Sequence, residues 1–381
     1  MHILVLIHEY PPVGGGGGRV AQDLAEGLVA RGHRVTVLTS ALAELPREET
    51  RRGVRIVRLP VARKEAYRAT FLSMGLFVLR SVWAGWRMVR RERVDVIHAH
   101  FAVPAGAAAW ALALLTRVPY VLTAHLGDVP GGTPEKTSKW FRFVYPFTPP
   151  IWKRAAQAVA VSSFTRSLAR RHYDVPIEVI PNGVDVEVLR PPSLAVHTPP
   201  RLVFAGRFMP QKNPLMVVKV LAHLRDLPWH CTMLGDGPLK PAVEEAIRQA
   251  GLEDRFSLPG WVTPDEVLAE FDRSDILFMP SRTEGLPVVG VQALAKGLAL
   301  VVGRAGGFVD VVDEGKNGFL TPPEDAEAIA SALRRLLTAP KVLSAFRKAS
   351  RQKAASFDLR QIVAQYEARF LQIHEERTRR E

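Results

Sequence analysis

Short, β-branched apolar runs alternate with helical stretches along almost the whole chain, and that alternation limits the fold more than any other feature. In the first half the runs are Ile3–Ile7, Arg34–Leu38, Val54–Leu59, Val94–Ile97, Tyr120–Thr123, Ala158–Val161 and Glu178–Ile180. In the second half they are Leu202–Ala205, Cys231–Leu234, Phe256–Leu258, Ile276–Met279, Leu300–Val302 and a short one near Gly318–Leu320. Continuously apolar strands separated by helices predict parallel sheets covered on both faces. The fold class is α/β, with two Rossmann-like doubly wound domains. In such sheets ligands bind beyond the carboxyl ends of the strands, so the loops that follow strands are expected to carry the chemistry.

With 381 residues the chain is too long for one ordinary core. The Pro-rich, aperiodic stretch LRPPSLAVHTPP reads as a linker. We therefore expect an N-terminal domain over 1–188, a linker over 189–200, a C-terminal domain over 201–355, and a last helix over 356–381 packing back towards the first domain. A single cysteine, Cys231, excludes a disulfide framework. The N-terminus MHILVLIHEY lacks a basic region and a cleavage site, and Arg80 and Arg87 interrupt the greasiest segment, Phe71–Val89. A cytoplasmic location is expected. The formal charge of +13 favours acidic partners. Because no nucleic-acid recognition module is legible, nucleotides and anionic lipid surfaces remain as candidate partners, with a solvated arginine-rich surface as the equal alternative.

Five consecutive glycines, Gly14–Gly18, join the first strand to the first helix. Bare amides at a helix N-terminus can cradle a phosphate. A dinucleotide fingerprint is incomplete here: Arg19 stands where its third small residue belongs, and Thr39 and Ser40 end the second strand where an acid belongs. No Gly-Lys-Ser/Thr follows, so a P-loop is absent as well. Further on, FAGRFMPQKN places Arg207 and Lys212 just after a strand, two cations suited to a diphosphate. PSRTEGLPVVGVQALAKG places Glu284 in a turn before a helix, where a carboxylate can accept hydrogen bonds from hydroxyls. His98 and His100 share a strand face, a spacing metal hydrolases also use, yet the later strand-end ligands such enzymes need are missing.

The set PNGVD (Pro181–Asp185), Arg207 with Lys212, GDGP (Gly235–Pro238), EGLPVV and the GG…EG.NG stretch (Gly306–Gly318) resembles retaining glycosyltransferases with two Rossmann-like domains. This is the large GT-B-type family that includes phosphatidylinositol mannosyltransferases and sucrose synthases. YPPVGG, ARGHRVTVLT, DVIHAH and LTAHLGD extend the match through the first half. The resemblance implies two domains facing across a cleft, with a nucleoside-diphosphate sugar on the second and an acceptor, glycan or lipid, on the first. It assigns Arg207 and Lys212 to the diphosphate, Glu284 with Gly285, Leu286 and Pro287 to the donor sugar, and the backbone from Phe256 to Val262, with Trp261, to the base. Gly15 and Gly16 would bring amides to the donor phosphate, with Gly17 and Gly18 leaving extra room for an acceptor. His125 would lie by the transferred sugar, with His100 and Asp128 towards the acceptor and His98 either there too or packing. No metal or other cofactor is implied, consistent with the lack of any Asp-x-Asp, and transfer is expected on the front face without a covalent intermediate. One departure is Gln292, where the family usually has a second glutamate for the ribose. The alternative this leaves is a nucleotide-sugar binder of the same fold with weak catalysis.

Trp83 and Trp86 among the arginines of Leu79–Arg93 read equally as a basic amphipathic helix able to rest on anionic lipid or as a helix packed on the sheet with its arginines solvated. Lys139–Arg154 adds aromatic and basic residues to the same domain.

Overall fold

The computed structural model describes residues 1–65, 69–132 and 144–379. The chain forms two compact units, Met1–Gly183 together with Leu359–Glu381, and Val184–Asp358.

Unit 1 is built on strands β1 (His2–Leu6), β2 (Arg34–Ser40), β3 (Glu48–Arg51), β4 (Val54–Leu59), β5 (Val96–His100), β6 (Tyr120–Ala124), β7 (Gln157–Ala160) and β8 (Ile177–Val179). They lie in the order β3-β4-β2-β1-β5-β6-β7-β8. Every pairing is parallel except β3 with β4. Strand β3 escapes the apolar pattern because its sequence is EETR; ion pairs hold it to β4, Glu48 to Arg55 and Glu49 to Arg58. Alternation along β1 divides the core. Ile3 and Val5 face helix α1 (Gly16–Ala30) and the C-terminal helix Leu359–Thr378, whereas Leu4 and Leu6 face α2 (Phe71–Glu92) and α3 (Ala107–Thr116). Helix α1 earns its place with Ala21, Leu24, Ala25 and Leu28, buried at helical spacing. Helix α2 starts at a capping box in which Ser73 N donates to Thr70 Oγ1 at 3.2 Å and Thr70 N donates to Ser73 Oγ at 2.8 Å. Sheet order reverses between β1 and β5, so the loops leaving those two strands frame this unit's switch point.

Unit 2 carries β9 (Arg201–Ala205), β10 (His230–Leu234), β11 (Phe256–Gly260), β12 (Ile276–Met279), β13 (Ala299–Gly303) and β14 (Gly318–Thr321). All are parallel, in the order β11-β10-β9-β12-β13-β14. The reversal falls between β9 and β12. The stretch Leu189–Pro200, read above as a linker, is instead packed onto unit 2: Arg347 Nη1 donates to Ala195 O at 2.6 Å and Leu194 covers Gly297. Beneath it lies a buried ion pair that sequence patterning does not reveal. Arg347 (1 % exposed side chain) meets Asp275 (0 %), whose other oxygen accepts from Arg201 N at 2.8 Å.

Among the described residues no helix is long and apolar enough to cross a membrane.

Candidate functional site

In unit 2 the switch point gathers the predicted donor residues. Gly206 and Arg207 leave β9, the loop turns through Pro210–Lys212, and the Lys212 stem runs back over Gly206, 3.6 Å from where a Cβ would stand. Glu284 comes from the loop after β12. Lys212 Nζ donates to Glu284 Oε1 at 2.6 Å. The two loops are also tied by backbone: Arg282 N donates to Gln211 O at 2.9 Å, and the Gln211 side chain donates to Thr283 O at 3.0 Å. Glu284 is buried, and the Lys212 ammonium is its charge partner. Arg207 is exposed and forms no ion pair among the described residues. One cation is thus fixed against a carboxylate while the other remains free to meet an anion at the same strand ends.

The surrounding glycine motifs have packing reasons that the sequence alone did not disclose. In the stretch after β13, a Cβ on Gly306 would stand 1.6 Å from Glu284 O and one on Gly307 2.0 Å from Gly285 O, so only glycines let this loop press against the Glu284 turn. Gly307 N donates to Glu284 O at 3.0 Å, fixing that turn. The GDGP turn does the same for Arg207. Phe208 N donates to Asp236 O at 2.9 Å, and a side chain on Gly235 would strike Gly206 O at 2.1 Å. Leu286 and Pro287 are buried, Pro287 capping the helix Val288–Ala295 that carries half-buried Gln292. Gly285 is partly exposed beside them. The expected base-binding backbone borders a groove of about 560 Å³ lined by Thr232, Ser257, Pro259, Val262 and Glu266; Trp261 lies outside it and is 57 % exposed.

Unit 1 presents the glycine turn and a histidine cluster. Gly14 has φ +97°, and a Cβ there would lie 2.4 Å from Glu9 Cβ. Gly17 faces the Phe101 ring at 2.6 Å and Gly18 faces Glu9 O at 2.7 Å. The extra room expected at Gly17 and Gly18 is therefore filled by the protein itself. Gly15, by contrast, has nothing within 4 Å of a Cβ position, and it caps α1, whose first residue is Gly16. The first amides of that helix precede any intrahelical acceptor and are the ones available to an anion.

His98, His100 and Asp128, expected near an acceptor, are buried at 0 %, 1 % and 2 % exposure. His98 and His100 do share a face of β5, ring centroids 4.1 Å apart, but the C-terminal helix covers them, with Tyr366 at 5.2 Å and Phe370 at 5.3 Å from His98. They serve as a scaffold instead. His98 Nε2 bonds Thr123 Oγ1 at 2.8 Å, and His100 Nδ1 meets His125 Nε2 at 3.0 Å, which leaves Nδ1 of the partly exposed His125 for a ligand. Asp128 spends both oxygens on backbone: Oδ2 accepts from Ala102 N at 2.8 Å and Oδ1 from His125 N at 2.9 Å. It braces the loops after β5 and β6, and burial raises its pKa. Burial pushes His98 and His125 down to about 3 and His100 well below the usual histidine range, so all three are neutral. The Phe101 ring lies 4.5 Å from His125. Among the described residues no group of three His, Cys, Asp or Glu is placed to hold a metal ion.

Of the aromatic-basic stretch Lys139–Arg154, positions 139–143 lie outside the described residues. Trp152 turns inward and stacks on Tyr173 at 4.5 Å, so it adds nothing to a surface.

Comparison with known proteins gives the family and the fold. Residues 14–188 match the Glycosyltransferase Family 4 model and residues 185–353 the Glycosyl transferases group 1 model. The 2-deoxystreptamine glucosyltransferase of Streptomyces kanamyceticus is 29 % identical over 365 residues, 88 % of this chain and 92 % of that one. Sucrose-phosphate synthase from Thermosynechococcus elongatus has the same fold, with a TM-score of 0.87 at 20 % identity over 98 % of this chain and 99 % of that one. Anabaena HepE in complex with UDP-glucose gives a TM-score of 0.74 at 19 % identity, covering 99 % of each chain. The two family models overlap only over 185–188, beside the first boundary between the units at 183/184, and the chain is a glycosyltransferase of the GT-B type.

Proposed function

We propose that the protein moves a hexosyl group from a nucleoside-diphosphate sugar to an acceptor hydroxyl, with retention of configuration and without a metal ion. The observation that carries this is the unit 2 switch point, where Arg207 and the Lys212–Glu284 pair converge at the ends of β9 and β12. As the bond from the anomeric carbon to the diphosphate oxygen breaks, negative charge grows on the leaving group. Lys212, held by Glu284, and the exposed Arg207 are two cations able to take it up without a divalent ion. Glu284, already bonded to Lys212, suits hydroxyl recognition better than nucleophilic attack, which favours front-face transfer. The acceptor oxygen then attacks the anomeric carbon on the face the diphosphate leaves and passes its proton to the departing phosphate oxygen. Neutral His125 offers Nδ1 to a sugar hydroxyl, and the open amides at Gly15 and Gly16 suit a phosphate. HepE, which shares the fold, is seen with UDP-glucose, and a uridine donor heads the candidates.

The test is thermal denaturation with UDP-, GDP- and ADP-sugars in EDTA. A donor at about a hundred times its Kd adds about 2.7 kcal/mol, or a rise of several degrees. A rise with one donor that is lost in Arg207→Ala supports the assignment, as does a product of unchanged anomeric configuration by NMR. No rise with any nucleotide sugar, an absolute need for a divalent ion, or an inverted product refutes it.

A further inference from the structure

Helix α2 breaks the usual rule for a helix on the surface of a sheet. Its inward face is Ser73, Phe77, Ser81 and Gly85, all buried. Its outward face, where polar residues belong, is Leu72, Leu79, Trp83 and Trp86 at spacings of seven, four and three. Leu72, Leu79 and Trp83 are 66 %, 68 % and 61 % exposed. Phe71 extends the stripe at the helix start. On the adjacent α3, packed through Leu112 against Gly85, Leu114 and Leu115 are exposed as well. Most of the strongly exposed large apolar side chains among the described residues therefore lie on these two helices. An apolar face of this kind marks an interaction surface.

Charge identifies what covers it. From Phe71 to Arg91 there is no acidic residue, and the one acid of the helix, Glu92, is neutralised by Arg34 and Arg55. Arg80, Arg87, Arg90, Arg91 and Arg93 surround the aromatic stripe. Arg87 lies 4.6 Å over the Trp83 ring and Arg90 5.0 Å over that of Trp86, so cations and indoles form one surface. Indole and guanidinium on a helix that lies in the interface plane is the combination an anionic bilayer selects. We propose that the outer face of α2 and α3 docks on anionic phospholipid, with the leucines and tryptophans entering the headgroup boundary and the arginines meeting the phosphates. As the crossover between β4 and β5, α2 runs against the strand direction, so Phe71 and Leu72 stand at the carboxyl edge where His125 and the glycine turn lie. Docking would therefore set that edge of unit 1 beside the lipid, in position for an acceptor anchored there.

The experiment is sedimentation of the full chain with vesicles of equal parts phosphatidylglycerol and phosphatidylcholine, and with pure phosphatidylcholine, at low salt and at about 0.5 M NaCl. The wild type should pellet with the anionic vesicles only, and salt should release it. Arg87→Gln/Arg90→Gln/Arg91→Gln should weaken binding about a hundredfold, from about fivefold per cation at such a surface. Leu79→Glu/Trp83→Glu should abolish it. Leu79, Trp83, Arg90 and Arg91 are exposed and Arg87 is half-buried over the Trp83 ring, so unchanged circular dichroism and melting temperature separate lost docking from lost folding. A wild type that stays in the supernatant at low salt overturns the proposal. So does binding that neither variant weakens. Dimerisation by light scattering that Trp83→Glu abolishes, without vesicle binding, would instead assign the face to a second copy of the chain. None of these readouts involves a nucleotide sugar, so they stand or fall apart from the transferase assignment.

Discussion

Lys212 and Glu284 form one ion pair, yet removing either partner should have unequal effects. The Lys212 side chain is 20 % exposed and the Glu284 side chain 6 %. When Glu284 becomes Gln, the ammonium keeps an oxygen to donate to and can lengthen its reach towards water. When Lys212 becomes Met, a carboxylate is left inside with its cation gone. Breaking a fully buried pair costs about 3–5 kcal/mol; allowing for the partial exposure of Lys212, about 2–3 kcal/mol is expected for Lys212→Met and under about 1 kcal/mol for Glu284→Gln. In a domain of this size each kcal/mol lowers Tm by about 2–4 °C, so Lys212→Met should melt about 4–12 °C lower in calorimetry. The double variant should be more stable than the sum of the singles by about 1–2 kcal/mol. Activity should rank differently. Glu284→Gln, although well folded, loses a charged partner for a donor hydroxyl, and kcat/KM should fall about 10- to 150-fold for about 1.5–3 kcal/mol. If Lys212→Met proved no less stable than Glu284→Gln, the reading of Glu284 as the desolvated member of the pair would be wrong.

Three further outcomes follow from the same geometry. Gly18→Ala, whose Cβ would meet a backbone oxygen at 2.7 Å, should destabilise by about 1–3 kcal/mol in urea titration, whereas Gly15→Ala, with open space around it, should change stability little and donor turnover more; equal melting of the two variants would contradict this. His98 and His125 titrate near 3 when folded against 6.5 when free, so below about pH 6.5 the unfolded chain takes up protons that the folded chain refuses. The stability they contribute is intact above that pH and falls by about 1.4 kcal/mol per pH unit for each group as pH drops towards 4. His98→Asn should flatten the urea-derived slope by that amount, and an unchanged slope would show that His98 is not held neutral. Arg347→Met should cost about 3 kcal/mol by stranding buried Asp275, read as a lower urea midpoint, while a loss below about 1 kcal/mol would mean that the Arg201 amide and the His197 amide, which donates to Asp275 Oδ1 at 3.2 Å, suffice on their own.

Strands were legible in the sequence because burial on both faces leaves an unbroken apolar run, and the positions of Arg207, Lys212 and Glu284 followed from where those runs end. Strand β3 was not, since EETR is held by charge and edge pairing and has no apolar signature. The roles of His98 and Asp128 were hidden for another reason. What decides them is Tyr366 and Phe370 arriving from more than 240 positions away, and two backbone amides that no side-chain pattern announces. Gly17 and Gly18 illustrate the same limit: a glycine run signals that bare backbone is needed, but whether a ligand or the neighbouring Phe101 needs it is a matter of tertiary contact. Leu189–Pro200 looked like a linker because prolines and low periodicity mark both linkers and extended segments pinned to a surface.

The helix Leu359–Thr378 belongs to unit 1, so unit 2 is an insertion of 175 residues, 184 to 358, within it. That order reverses the usual schedule of synthesis, in which the first domain finishes first. At about 5–20 residues per second, the ribosome needs about 9–35 s to make the insertion. During that interval Ile3, Val5 and Val96 lack Ile362, Tyr366 and Phe370, which later cover them. The second unit emerges whole and can close as soon as it is clear of the exit tunnel, while the first waits with one flank of its sheet bare. A nascent chain of this kind is a natural substrate for ribosome-associated chaperones. For the same reason a stop codon before Leu359 would damage the beginning of the protein more than its end.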